Sequence, residues 1–548
     1  MVAMDHSQEN ISRLLRELNE IGIALSAEKD HDRLLELILV KAMEITNADG
    51  GTLYTRTDDQ RLNFEILHNR SLNIHKGGTS GEEISFYPIA LYDDEGKPNT
   101  HMVAANAVIS GKTVNIPDAY DSEEFDFSGT RSFDNKMGYR STSFLTVPMT
   151  NHENENIGVL QLINAVDIDS KKIIPFSLLE QQLVESLSSQ AAVTITNKAL
   201  IDAQKNLFDS FIQLIADAID EKSPYTAGHC RRVPVLTNML ADAVNKIDRG
   251  PLKDFNMTDD EKYELEVAAW LHDCGKITTP EYVVDKGTKL ETIFDRISLV
   301  DIRFEILKRD AVIAALKAKL KEHNAVSDID RELANDASLQ EELKRLSKER
   351  EDIRAYNIGG EVLADSDLKR IEEIGRRTYS NPDQEIVNLL SDEEVQNLQI
   401  GRGTLSIRER EIINNHVTVT IKMLESLPYP KHLAKVPEYA GGHHEKMDGS
   451  GYPNKLKRED MSVQARMIAI ADVFEALTAS DRPYKKAMPL SQSLKILGQM
   501  KLDNHVDADL FDVFINEKIY LDYANKYLGK NQIDEIDFNN IPGYTTIN

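Results

Sequence analysis

The 548-residue sequence predicts an α+β chain, with helices flanking a sheet in a first region and a longer, mostly helical region after it. Three observations lead there. Segments near the N-terminus are rich in β-branched and aromatic residues bounded by turn formers. A helical pattern runs from Phe176 to Glu221, and further helical stretches follow it. The length also exceeds what one hydrophobic core supports, so roughly three domain-sized units are expected.

Hydrophobic residues make up 41% and charged residues 28%, values of a globular rather than a disordered chain. No apolar run reaches the roughly 20 residues that span a bilayer, and the opening MVAMDHSQEN lacks the order of a secretion signal. A cytoplasmic chain without a membrane partner is expected. The net charge of −27 argues against nucleic acid as a partner, so a phosphate-bearing substrate would need a local basic patch. Cys230 and Cys274 cannot form a disulfide framework and read as small buried thiols, although each sits beside a histidine motif.

From about Ser7 to Ile45 the pattern is helical. Strands are expected at Gly51-Thr-Leu-Tyr-Thr, Ser143-Phe-Leu-Thr-Val-Pro-Met and Ile157-Gly-Val-Leu-Gln-Leu-Ile-Asn. This region, through residue 200, resembles a GAF domain in its "NADGGTLY", "FLTVPM" and "IGVLQLINA" stretches. The resemblance implies an α/β/α sensor that binds cyclic nucleotides, haem, bilins or another small molecule, or that only dimerises. Asn164 stands where cyclic-nucleotide-binding GAF domains begin an Asn-Lys signature, and here Ala165 replaces the lysine.

In the helical stretch 176–221, Leu200, Leu207 and Leu214 recur at heptad spacing, with Phe211 and Ala218 four positions after the last two. That spacing suits a seam between two copies of the chain, hence a homodimer, against the alternative of a helix packed on its own domain. Residues 201–303 and 404–548 are read as two parts of one domain. Between them, 304–403 is dense in Ala, Leu, Lys, Glu and Asp and reads as an inserted helical hairpin with solvated faces, in a spacer or interaction role.

Chemistry is concentrated in the two flanking parts. "AAWLHDCGKITTP" ends an apolar helical run on His272 and Asp273, with Lys276 just beyond. "YTAGHCRRV" adds His229, "INNHVTVT" His416 and "AGGHHEKMDGSGYP" His443 and His444. In "AIADVFEAL", Asp472 interrupts an apolar helix, where an unpaired carboxylate is costly unless a cation or donor compensates it.

The order and wording of "HDCGK", "HHEKMDGSGYP" and "IADVFEALTASDRPYKK" resemble the HD-GYP domain, a subgroup of the HD metal-dependent phosphohydrolases. The resemblance implies an all-α HD-type helical bundle following the GAF-type α/β/α sensor, with the hairpin inserted into it. It also implies two divalent metal ions, iron or manganese. His229, His272, Asp273 and Asp472 would hold one, Asp273, His416, His443 and His444 the other, and Asp273 would bridge them.

Lys276, Arg482 and Lys485 would contact phosphate, and Tyr452 a guanine base. Lys276 and Asp273 are the residues nearest the chemistry. The implied substrate is a cyclic dinucleotide, cyclic di-GMP above all, cleaved to linear pGpG with GMP as a further product. Cyclic GMP-AMP, or a non-catalytic sensor acting through protein partners, are the alternatives. Asp448 reads as a turn cap. Some relatives place a glutamate four residues before the first histidine for a third metal; Tyr225 stands there in this chain, and Glu221 lies two helical turns away.

Overall fold

The structure, a computed structural model, describes the chain except residues 1–15, 17–18, 29, 223–227, 323–328, 361, 480–487 and 545–548. It divides into two compact units, Met1–Leu207 and Phe208–Asn548.

The first unit contains α1 (His31–Ile45), β1 (Ala48–Arg56), β2 (Arg61–Asn69), β3 (Ile74–Gly77), β4 (Ile89–Ala90), α2 (Val103–Ser110), β5 (Val114–Ile116), α3 (Ser128–Met137), β6 (Phe144–Thr150), β7 (Asn156–Val166) and β8 (Ile173–Ile174). The strands form one antiparallel sheet in the order β3-β2-β1-β7-β6-β5, with β4 on β2 and β8 on β7. The three strands expected from sequence fall in β1, β6 and β7.

Alternation along the strands builds two cores. Leu53 and Leu160 pack with Leu35, Ile38 and Leu39 of α1 on one face, while their neighbours Tyr54 and Val159 pack with Ala104, Ala105 and Val108 of α2 on the other. Asp30 starts α1 by accepting the Arg33 amide at 2.9 Å.

A single helix of 45 residues, α4 (Leu178–Lys222), leaves this unit and ends in the second. There α5 (His229–Lys246), α6 (Asp259–Leu271), α13 (Ile407–Glu425), α14 (Val436–Gly441), α15 (Val463–Thr478), α16 (Leu490–Leu502), α17 (Ala508–Asn516) and α18 (Ile519–Tyr527) share one core. Val233, Leu236, Leu265, Ala268, Tyr439, Ile468, Phe474 and Phe514 are among its members.

Between α6 and α13 come α7 (Glu281–Val284), α8 (Ile297–Glu322), α9 (Ile329–Asn335), α10 (Ala337–Asn357), α11 (Asp365–Gly375), the hairpin β9 (Thr378–Ser380) and β10 (Ile386–Asn388), and α12 (Asp392–Leu398). The expected helical hairpin is present, with α8 lying along α10, but the segment is more than a solvated hairpin. Leu290, Val300, Phe304, Leu346, Ile353, Ile371, Leu389 and Leu398 form a separate hydrophobic core, which reaches back before the expected boundary at Phe304. Leu346 and Ile353 lie two helical turns apart in a run of charges, so the buried stripe is too narrow to stand out in the composition. Where this segment joins the bundle, Lys286 Nζ donates to both Glu409 oxygens at 2.8 Å and Thr404 Oγ1 donates to the Lys286 carbonyl at 3.0 Å.

Candidate metal centre and its surroundings

Five stretches of the second unit deliver imidazoles and carboxylates to one buried place. His229 is the first residue of α5, and His416 lies mid-way along α13. His443 and His444 follow the end of α14, and Asp472 is on α15. His272 caps α6, which ends at Leu271, so Asp273 is not helical: at φ −105° and ψ 9° it lies in the bridge region that opens the 3-10 turn Cys274–Thr278. Four residues after His272, Lys276 would share its side of the helix had the helix run on, but it lies in the 3-10 turn. The turn instead brings Lys276 Nζ to 2.5 Å from Asp273 Oδ2.

Gly275 lets this turn approach α13. A Cβ there would lie 2.0 Å from the His416 carbonyl oxygen, and the Gly275 amide donates to Thr420 Oγ1 at 2.9 Å.

The two oxygens of Asp273 face different histidines. Oδ2 lies 3.4 Å from His229 Nε2 and 3.3 Å from His272 Nε2, whereas Oδ1 lies 3.2 Å from His416 Nε2 and 3.9 Å from His443 Nε2. Asp472 Oδ1 is 3.3 Å from His229 Nε2 and 3.9 Å from His272 Nε2. The ring centroids of His443 and His444 are 4.2 Å apart, and those of His416 and His444 5.2 Å.

The imidazoles are oriented from behind. Nδ1 of His272, His416 and His443 donates to the carbonyls of Ala269, Ile413 and Ala440 at 2.7, 2.5 and 2.6 Å, which leaves each Nε2 with its lone pair turned inward. His229 Nδ1 instead meets Glu475 Oε2, and Arg232 Nε holds Glu475 Oε1 at 2.6 Å. The sequence reading did not identify Glu475. Its signal was available, because it is a second carboxylate in the same apolar helix as Asp472, one turn on.

Burial and the neighbouring His444 hold His443 well below the usual imidazole range, and burial holds His444 at about 4. Both are therefore neutral bases. Burial opposes charge on Asp273 and Asp472, but Lys276 and His272 pull the first below the carboxylate range and His229 does the same to the second.

A cation fits this donor set. Nε2 of His272, His416 and His443 and Oδ1 of Asp273 are buried without a hydrogen-bond partner, a costly state that a shared positive ion relieves. Among the described residues, two groups have ligand atoms within 4.8 Å of one another: His229, His272 and Asp273, and His416, His443 and His444. The seven histidines and aspartates named as ligands from sequence thus come together. Cys230 and Cys274 are buried free thiols outside these groups, and burial pushes Cys274 up to about 11.

Beside the cluster, the Tyr452 ring stacks on His444 with centroids 4.9 Å apart and planes 26° from parallel. The loop carrying it is tied by Glu445, a buried carboxylate that accepts the Asn454 and Leu456 amides at 2.6 and 3.0 Å. Gly451 lies so close to this segment that a Cβ would be 2.4 Å from the Lys446 nitrogen. Asp448 Oδ1 accepts the Ser450 amide at 2.8 Å, a turn cap. Arg482, Lys485 and Tyr225 lie outside the described residues.

The first unit has a cavity of about 390 Å3, lined by Tyr54, Phe64, Phe127, Phe133, Tyr139 and Phe144 among others, with no lysine or arginine among its described lining residues. Asn164 serves the fold. Its Oδ1 accepts the Thr142 amide at 2.7 Å, and its Nδ2 donates to the Arg140 carbonyl and the Tyr139 hydroxyl at 2.8 and 2.9 Å.

Residues 30–195 match the GAF domain family, and residues 226–367 and 391–510 match two HD domain families. A Vibrio cholerae 3'3'-cGAMP-specific phosphodiesterase 3 is 38% identical over 109 residues, 20% of this chain and 23% of that protein. A probable cyclic di-GMP phosphodiesterase of the same organism is 43% identical over 126 residues, 23% of this chain and 25% of that protein. The cyclic di-GMP phosphodiesterase of Thermotoga maritima is 33% identical over 126 residues, 21% of this chain and 34% of that protein. The matches therefore span between 23% and 34% of these relatives' length. Among solved structures, the GAF domain of an Acinetobacter phosphoenolpyruvate-protein phosphotransferase is 16% identical, covers 35% of this chain and 98% of that one, and has a TM-score of 0.26. No helix among the described residues is long and apolar enough to cross a membrane. By its family matches the chain is a GAF domain followed by a largely helical HD region.

Proposed function

We propose that the chain is a metal-dependent phosphodiesterase that hydrolyses a cyclic dinucleotide, cyclic di-GMP above all, to linear pGpG and onward to GMP. The observation that carries the proposal is the convergence of unpartnered Nε2 and Oδ1 atoms around Asp273, one of whose oxygens faces each histidine group.

His229, His272, Asp273 and Asp472 would hold one divalent cation, and Asp273, His416, His443 and His444 the other, with iron and manganese suited to such nitrogen and oxygen sets. Two cations so held would supply positive charge to an in-line displacement at phosphorus. Lys276, partly exposed beside Asp273, places its ammonium where a phosphate oxygen would lie next to the cluster. Tyr452 offers a ring face to a base, and Arg482 and Lys485 are assigned to phosphate.

The GAF cavity regulates this activity through a small molecule. With no lysine or arginine among its described lining residues to meet a phosphate, it suits an uncharged ligand better than a cyclic nucleotide. The chain acts as a homodimer through α4, where Leu200, Leu207, Phe211 and Leu214 are each more than half exposed at heptad-like spacing.

The test is chromatography of products after the manganese- or iron-loaded chain meets cyclic di-GMP or 3'3'-cGAMP. Linear product from cyclic di-GMP, lost in Asp273→Ala, is expected. No linear product from either dinucleotide with either metal would overturn the proposal. Preference for 3'3'-cGAMP is the second reading, favoured by the 38% identity to the cGAMP-specific Vibrio cholerae protein.

A further inference from the structure

The last turn of α4 carries two side chains that grip the segments bearing His229 and Asp273. Asp220, buried, accepts the Gly228 amide on Oδ2 at 2.9 Å, and Gly228, at φ +80°, is the N-cap residue directly before His229. Lys222, the final residue of α4, donates from Nζ to three backbone carbonyls: Lys276 at 3.1 Å, Ile277 at 2.6 Å and Thr279 at 2.5 Å. All three lie in or directly after the 3-10 turn that Asp273 opens.

An ammonium has three N–H donors, and here the chain meets all of them with carbonyls of one short turn. A lysine at a helix C-terminus ordinarily caps its own helix's carbonyls. The carbonyls met by Lys222 instead belong to a segment more than fifty residues away in sequence. The opposite side of that turn is fixed to α13 by the Gly275 amide on Thr420 Oγ1. The turn presenting Asp273 and Lys276 is therefore held between α13 and the end of α4.

We propose that Asp220 and Lys222 are positioning residues for the metal-ligand cluster, through which the end of α4 sets where His229 and Asp273 stand. Neither is assigned to metal or substrate. The inference rests on the reading of the cluster as a metal centre. Charge-assisted hydrogen bonds are the stronger kind and are geometrically selective, so losing the ammonium frees the turn to shift by the fractions of an ångström that metal coordination registers. Because α4 is unbroken from Leu178, a displacement of its last turn moves both segments together.

The experiment measures Mn2+ affinity of the full chain by isothermal titration calorimetry, alongside thermal unfolding of the metal-free chain. Lys222→Met is expected to weaken Mn2+ binding by about tenfold or more, the scale of losing an outer contact to a metal site, with metal-free unfolding little changed. Lys222→Arg should restore most of the affinity, and Gln213→Ala, at an exposed position of the same helix, should bind as the wild type does. If Lys222→Met does not fold, Lys222→Gln, which keeps an amide donor and loses the charge, carries the test with the same expected weakening.

Wild-type affinity in the folded Lys222 variant, or failure of Lys222→Arg to rescue, would overturn the inference alone. A wild-type chain that takes up neither Mn2+ nor Fe2+ would overturn it together with the function on which it rests.

Discussion

Glu475 shows how much a single residue behind the site can govern. Its oxygens are divided between His229 Nδ1 and Arg232 Nε. Glu475→Gln should reduce Mn2+ affinity by about 10- to 100-fold, measured by titration calorimetry, because outer carboxylates orient the imidazole and raise its basicity. The same residue makes an acid-stability prediction. Burial pushes its pKa up, but the charges of His229 and Arg232 pull it further down, to about 2 from an ordinary 4.5. The folded state therefore binds this proton less readily than the unfolded chain does. The stability it contributes is complete above about pH 4.5 and is lost as the pH falls toward 2. Urea midpoints of the metal-free chain between pH 5 and 3 should fall less steeply in Glu475→Gln than in the wild type. At this scale the sequence was legible wherever a motif marked the residue: Asp472 stood out as a carboxylate in an apolar helix. Glu475 met the same criterion but belonged to no quoted ligand set, and Glu445 gave no sign that its carboxylate would bond the backbone of its own loop.

At the scale of elements, the turn after α6 differs most from its reading in sequence. The apolar run announced a helix ending near His272 and Asp273, but not that its last helical residue would be Leu271, with Asp273 opening a 3-10 turn. What stops it there is tertiary, the approach of Gly275 to α13. Gly275→Ala should cost about 1–3 kcal/mol, as overpacking does, and should depress hydrolysis beyond that loss, because relief of the clash moves Asp273 and Lys276. Urea denaturation set beside turnover of the folded fraction checks both parts. On α4 the heptad spacing could be read directly, and the exposure of Leu207 and Leu214 accords with the dimer proposed through it. The double variant Leu207→Glu/Leu214→Glu should shift the chain from dimer to monomer in light scattering, since like charges facing across a helix seam repel and desolvate poorly.

Over the whole molecule, the order of a sheet-bearing unit followed by helices was legible because strand and helix periodicities differ so plainly between Ser143-Phe-Leu-Thr-Val and the stretch after Phe176. The segment between α6 and α13 was not. Its charges hid Leu346, Ile353 and Ile371, and a core assembled from positions far apart in sequence leaves no single periodic run. Having that core of its own changes how the long separation between His272 and His416 should be understood. The chain departs and returns at one neck, where Lys286 grips Glu409 and Thr404 touches the Lys286 backbone. The branch can therefore be treated as a cassette. Splicing residue 287 to residue 404 through a few glycines and serines should leave Mn2+ uptake intact, and a fluorescent domain grafted into the same gap should fold without disturbing it, as metal analysis of either product would register.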